Sequence, residues 1–170
     1  MSAANMLRSL LPLIVMVLAL AYFCSPQDGD PVVEIDPTSS INYAASLSEA
    51  QLLVPDLPQS WRATSVDVVG PADSQPGPVT LTIGYVTPDQ EFARYVVSTD
   101  PGSELIADLL TDAETAGQPS WDGKPWDGFL TSRGERLYLR SDGDLQIAVT
   151  GSATEDELRT LAESLIPYRG

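Results

Sequence analysis

Two tryptophans, each followed by an aspartate, are the residues whose types and spacing come closest to a site with chemistry. Trp121-Asp122 and Trp126-Asp127 stand on either side of a Gly-Lys-Pro segment. Carboxylates beside exposed indoles are typical of a sugar cleft, where they act as acid and base or as nucleophile. The alternative is that one tryptophan packs in the core and residues 123–125 form a turn. We therefore predict an interaction surface at these four residues and no catalytic residue.

Other acidic residues fall in patterns that metal sites also use. Glu104, Asp108 and Asp112 follow each other at intervals of four, which places them on one face of a helix. Asp28-Gly-Asp30 and Asp142-Gly-Asp144 resemble fragments of calcium loops, but they lack the spaced acids and the closing glutamate of an EF-hand. A solvated helix face and Asp-Gly turns explain these patterns without a metal, so we predict no metal site.

The composition excludes several classes of function. The chain has 170 residues, 24 acidic residues, nine basic residues and no histidine, for a net charge of −15. Without histidine there is no Ser–His or Cys–His catalytic pair and no imidazole ligand for a metal. A strongly acidic chain repels phosphate backbones, which argues against nucleic acid as a partner. We predict that the protein is not an enzyme and has no cofactor.

The first 24 residues predict a membrane anchor. Residues 7–24 contain no charge after Arg8, and a helix of that length is about 27 Å long. This just spans a hydrocarbon core of about 30 Å. Because Arg8 precedes the segment and Asp28 and Asp30 follow it, the positive-inside rule places the N-terminus in the cytoplasm. We predict a single-pass cell-membrane protein with an extracytoplasmic C-terminal domain.

Two other fates remain open for this segment. Ala19-Leu20-Ala21 fits the pattern of a signal peptidase site, with cleavage after Ala21. Acylation of Cys24 would instead give a lipoprotein, although Tyr22 and Phe23 occupy positions where small residues are expected.

Residues 25–40 predict a tether, since they are rich in proline, serine and acidic residues. The folded domain is then expected over residues 41–170. Its first half predicts a helix over residues 42–53 and strands over residues 61–69, 79–86 and 91–98. Trp61, Tyr85 and Tyr95 fall in or beside these strands, where large aromatic residues are most often part of the core.

The second half predicts two helices and three more strands. Ser103 caps a helix with an apolar stripe, and Thr154 opens another with a capping box to Glu157. Strands are expected over residues 126–131, 136–141 and 145–151, the last two joined by an Asp-Gly turn. The order of elements predicts an α+β fold: one antiparallel-sheet domain with amphipathic helices on one face, preceded by the transmembrane helix.

The order of short motifs resembles the DUF4245 family. The motifs are Tyr43-Ala44-Ala45, Leu57-Pro58-x-x-Trp61-Arg62-x-Thr64-Ser65, Gly84-Tyr85-x-Thr87-Pro88, Val149-Thr150-Gly151-x-Ala153 and Glu157-Leu158-x-x-Leu161-Ala162. The likeness covers nearly the whole chain from the anchor onward, with a departure over residues 119–128. It implies a small membrane-anchored protein of the actinobacterial cell envelope, and it carries no catalytic residue over to this chain.

Together these observations favour a binding role over a catalytic one. We expect an acidic extracytoplasmic domain that binds a protein or a component of the envelope. The alternative from a different class is an envelope enzyme that uses carboxylates, for example on glycans, with Asp122 and Asp127 as its acids.

Overall fold

The computed structural model describes residue 16, residues 33–73 and residues 75–169. The predicted anchor, apart from residue 16, and the first part of the predicted tether lie outside these residues. No helix in the part of the chain described here has the length and apolarity needed to cross a membrane. The compact unit extends over Val33–Gly170.

A seven-stranded antiparallel sheet forms the centre of this unit. Its strands are β2 (Arg62–Val69), β3 (Thr80–Val86), β4 (Phe92–Ser98), β5 (Glu114–Gly117), β8 (Asp127–Leu130), β9 (Arg136–Asp142) and β10 (Leu145–Gly151). Their order in the sheet is β2-β3-β4-β10-β9-β8-β5. Two small antiparallel pairs accompany it, β1 (Leu53–Pro55) with β11 (Leu165–Pro167) and β6 (Ser120–Trp121) with β7 (Lys124–Pro125). The pairing of β4 with β10 joins the two halves of the chain.

The central strands are buried on both faces of the sheet. In β4, Tyr95 and Val97 belong to one core cluster, whereas Val96 between them belongs to the other. In β10, Ile147 and Ala148 are divided in the same way. Because successive side chains of a strand point to opposite faces, consecutive buried residues require cover on both sides. We call the side of Tyr95 the front face and the side of Val96 the back face.

Three helices between residues 33 and 169 supply this cover, α1 (Thr38–Leu47), α2 (Glu104–Leu110) and α3 (Glu155–Glu163). The buried residues of α1 and α3 pack in the front-face cluster, whereas Ile106 of α2 packs in the back-face cluster. The prediction that the amphipathic helices share one face is therefore wrong. The back face of the central strands is also apolar, so one of the helices has to cover it.

The N-terminal boundary of the compact unit also differs from the expected one. Residues 33–40, predicted as tether, belong to it: the Ile35 N–H donates to the Ala63 carbonyl (2.8 Å), and α1 begins at Thr38. A helix is predicted over residues 42–53, but α1 ends at Leu47. Leu53, the last residue of the predicted helix, is instead the first residue of β1. The capping box is confirmed, with reciprocal hydrogen bonds between Thr154 and Glu157.

Candidate functional site

Trp121 and Trp126 do not form an exposed surface. Both indoles are buried in the front-face cluster, where Trp121 is 6% exposed and Trp126 is 2% exposed. Their ring centroids lie 5.6 Å apart, and the Trp121 ring lies 4.4 Å from that of Tyr138. The turn between β6 and β7 has a positive φ at Asp122 (49°) and at Gly123 (69°). The prediction of an aromatic interaction surface here is wrong, and both tryptophans are core residues.

Asp122 and Asp127 remain exposed without the aromatic faces that a sugar cleft would use. Asp127 accepts a hydrogen bond from the Gln118 side-chain amide (2.7 Å). The acidic residues on α2 are also exposed. Among residues 33–73 and 75–169, no group of three histidine, cysteine or acidic side chains is placed to hold a metal ion.

A different pair of aromatic residues lines an open cavity of about 620 Å³. We call it the Trp61–Tyr85 cavity. Its walls come from the chain before α1, the loop after β1, the start of β2 and the end of β3. The lining residues are Glu34, Ile35, Asp36, Pro37, Pro55, Asp56, Leu57, Trp61, Ala63 and Tyr85.

Local hydrogen bonds position these walls. Ala63 pairs with Tyr85 across β2 and β3, which brings the aromatic ring of Tyr85 beside Trp61. The two ring centroids lie 6.2 Å apart with the planes at 76°, an edge-to-face contact. The backbone N–H of Trp61 donates to the Pro58 carbonyl (2.9 Å), which closes the loop before β2. The hydrogen bond from Ile35 to Ala63 holds the chain before α1 against the same strand.

Both aromatic side chains are nearly buried, and each carries one polar group. Tyr85 is 6% exposed and Trp61 is 7% exposed, but neither the phenol hydroxyl nor the indole N–H is among the buried polar atoms of the described residues that lack a hydrogen-bond partner. The hydroxyl of buried Tyr95 donates to the Leu53 carbonyl. Burial raises the pKa of Tyr85 well above its usual value, so its hydroxyl stays neutral at physiological pH.

The rim of the Trp61–Tyr85 cavity is negatively charged. Glu34, Asp36 and Asp56 line it, and no basic residue does. Asp36 accepts a hydrogen bond from the Thr38 N–H (2.9 Å), and hydrogen bonds from Thr38 lower the pKa of its carboxyl. Aromatic faces attract cations through the ring quadrupole, and carboxylates attract them directly. The cavity is therefore suited to an organic cation.

The sequence alone does not identify this site, because its patterns assign Trp61 and Tyr85 to the core. Both are indeed nearly buried. Only their position beside three acidic residues distinguishes them, and Glu34, Asp56 and Tyr85 are far apart in the sequence. The sequence carries one local signal for the site. It is a proline-bounded loop that runs from Asp56 to Trp61, the tryptophan that directly precedes β2.

The fold and the cavity define a small α+β domain built on an antiparallel sheet, with an acidic aromatic cavity beside its edge strand β2. A family model described as "Protein of unknown function (DUF4245)" matches residues 1–165, and the chain belongs to this family. The comparison with curated proteins found no match.

Proposed function

We propose that this protein is a non-catalytic binding protein that takes a cationic group of a protein or envelope partner in the Trp61–Tyr85 cavity. The observation that carries this proposal is the combination of two aromatic residues with a rim of carboxylates around one cavity. A lysine or arginine side chain, or another organic amine, matches this chemistry. Its charge meets the carboxylates, and its aliphatic stem packs against the rings.

The charge of the whole chain favours the same class of partner. With a net charge of −15, the protein attracts cations over several ångströms and accelerates their encounter at low ionic strength. The predicted anchor over residues 7–24 would place the cavity in the cell envelope, where a basic segment of another protein is the expected partner. The alternative of a carboxylate enzyme loses its main argument, because Trp121 and Trp126 are buried away from Asp122 and Asp127.

Calorimetric titration of the full chain in a nonionic detergent tests this proposal. The probe is the peptide Gly-Gly-Lys-Gly-Gly with blocked ends, and the same peptide with glutamate in place of lysine is its control. We expect the lysine peptide to bind and the glutamate peptide not to bind. Binding should weaken with added salt, since exposed charges are screened over about 10 Å at 0.1 M.

Two variants and a matched control locate the binding. Trp61→Leu removes the indole, and we expect it to weaken binding of the lysine peptide by about 3–30-fold, the range of a cation–π contact. Asp56→Asn removes one carboxylate and should weaken binding by up to about fivefold, the range of an exposed charge contact. Asp122→Asn removes an exposed carboxylate outside the cavity and should leave the affinity unchanged. Equal affinities for all three variants and the unaltered chain, or no preference for lysine over glutamate, would contradict the proposal.

A further inference from the structure

A second cavity, of about 440 Å³, lies on the back face of the sheet. We call it the back-face cavity. Helix α2, the turn between β8 and β9, and the ends of β4 and β10 form its walls. The residues that line it are Phe92, Arg94, Leu105, Asp108, Leu109, Thr111, Asp112, Thr131, Ser132, Arg133, Glu135, Thr150 and Gly151.

This cavity brings together both signs of charge. Arg94 and Arg133 supply two of the nine basic residues of the chain, and Asp108, Asp112 and Glu135 supply carboxylates. None of these five residues forms an ion pair within 4.0 Å among the described residues, where ion pairs are instead found at Arg140–Asp142 and Arg159–Asp156. Opposite charges therefore line one cavity without neutralising each other.

Aromatic and aliphatic side chains form part of the cavity wall, beside four hydroxyl residues, Thr111, Thr131, Ser132 and Thr150. The Arg94 guanidinium carbon lies 5.6 Å from the centroid of the Phe92 ring, which fixes the cation on an aromatic face. Arg94 is half-buried on β4, between Gly84 and Thr150 of the neighbouring strands. Leu105 and Leu109 of α2 add an aliphatic wall. The back-face cavity thus combines a positioned cation, free carboxylates and apolar surface.

We propose that the back-face cavity binds a dipolar ligand that carries an ammonium group, a carboxylate and an apolar side chain, which is the chemistry of a short peptide with free ends. The guanidinium groups of Arg94 and Arg133 receive the carboxylate through charge-assisted hydrogen bonds. Asp108 and Asp112 receive the ammonium group, and the ligand side chain packs on Leu105 and Leu109. This site differs from the Trp61–Tyr85 cavity, which no basic residue lines.

Calorimetric titration of the full chain with leucyl-leucine tests the inference. Two analogues each lack one charge: N-acetyl-leucyl-leucine has no ammonium group, and leucyl-leucine amide has no carboxylate. We expect leucyl-leucine to bind at least tenfold more tightly than either analogue. Equal affinity for the dipeptide and one analogue would overturn the dipolar assignment, and no binding at millimolar dipeptide would overturn the site.

Three variants place the binding in this cavity. Arg133→Met, in an exposed turn, should remove the preference for the free carboxylate, and Asp108→Asn, on the exposed side of α2, should weaken the preference for the free ammonium group. Arg159→Met on α3 is the matched control and should leave both preferences intact. Unchanged preferences in Arg133→Met and Asp108→Asn, with circular dichroism showing folded protein, would place the binding elsewhere and overturn the proposal.

Discussion

The guanidinium of Arg140 lies over the buried indole of Trp126, with its central carbon 4.9 Å from the ring centroid. The Arg140 side chain is 5% exposed and pairs with the partly exposed carboxylate of Asp142 at 3.0 Å. A cation taken out of water requires such partners, since its desolvation is otherwise costly. Arg140 of β9 thus covers the Trp126 ring with a guanidinium group that is itself paired with Asp142.

Trp126 is therefore expected to contribute to stability rather than to partner binding. Trp126→Ala removes a large buried side chain and leaves a cavity, which costs about 3–5 kcal/mol in the free energy of unfolding. Tyr43→Ala, at a position that is 47% exposed, should change it by less than about 0.5 kcal/mol. Urea unfolding monitored by circular dichroism measures both. A Trp126→Ala protein as stable as the unaltered chain would contradict the buried position.

Gly151, at the end of β10, lies close against the backbone of the neighbouring strand β4. A Cβ atom there would stand 2.1 Å from the Phe92 carbonyl oxygen, and the backbone adopts φ +146°. Gly151→Ala is expected to destabilise the fold by more than about 2 kcal/mol, because β4 must move or the backbone must change conformation. Guanidinium unfolding measures the loss.

Gly143→Ala is the control for that substitution. Gly143 also has a positive φ, +61°, but no atom lies within 4 Å of the added Cβ. It is expected to cost only about 1 kcal/mol from the left-handed backbone. If the two variants lose the same stability, the close contact at Gly151 is not the cause.

Much of the fold could be predicted from local patterns. The expected strands over residues 79–86, 91–98, 136–141 and 145–151 agree with β3, β4, β9 and β10 to within one residue at each end. Alternation and turn chemistry act within a few residues, so they are visible in sequence. The short strands β1, β5 and β11 are not recognisable in the sequence, because their residues pair with partners outside the local segment and carry no periodicity of their own.

The sites depended on information that no local window contains. Trp121 packs against Tyr138 from another strand, whereas Trp61 lines a cavity together with residues that precede α1. Arg94 and Asp108 belong to a strand and a helix that the sequence assigns correctly, but only the placement of α2 on the back face brings them to one cavity. Composition predicts the sign of the net charge but not how the charged residues are distributed over the surface of the folded domain.

Glu157 makes the stability of the domain depend on pH. Burial raises the pKa of its carboxyl, but the polar groups of Thr87 and Asp89 and the hydrogen bonds from Thr154 to Oε2 outweigh this and hold the pKa below its usual value of 4.5. A pKa that is lower in the folded state means that the ionised group stabilises the fold above the unfolded-state pKa. That stabilisation is lost as the pH falls through the folded-state value.

The variant Glu157→Gln tests this contribution. At pH 7 it should lower the free energy of unfolding by about 1 kcal/mol, since it weakens the capping box. The difference between the variant and the unaltered chain should shrink as the pH is lowered below 4.5. Glu163→Gln, an exposed position on the same helix, is the control. Urea unfolding at a series of pH values measures the trend, and a constant difference at all pH values would rule it out.

Asp112 follows the C-terminus of α2 and has a left-handed backbone, with φ 57°. Glycine adopts this conformation without steric cost, and a carboxylate next to a helix C-terminus opposes the helix dipole. Asp112→Gly is therefore expected to stabilise the domain by about 0.5 kcal/mol, measured as a higher urea midpoint. The same change removes a carboxylate from the back-face cavity and should weaken leucyl-leucine binding several-fold. If Asp112→Gly gains stability and its affinity for the dipeptide is unchanged, Asp112 does not belong to the proposed site. If the variant gains stability and loses affinity, the aspartate is kept for binding at the expense of the stability of the fold.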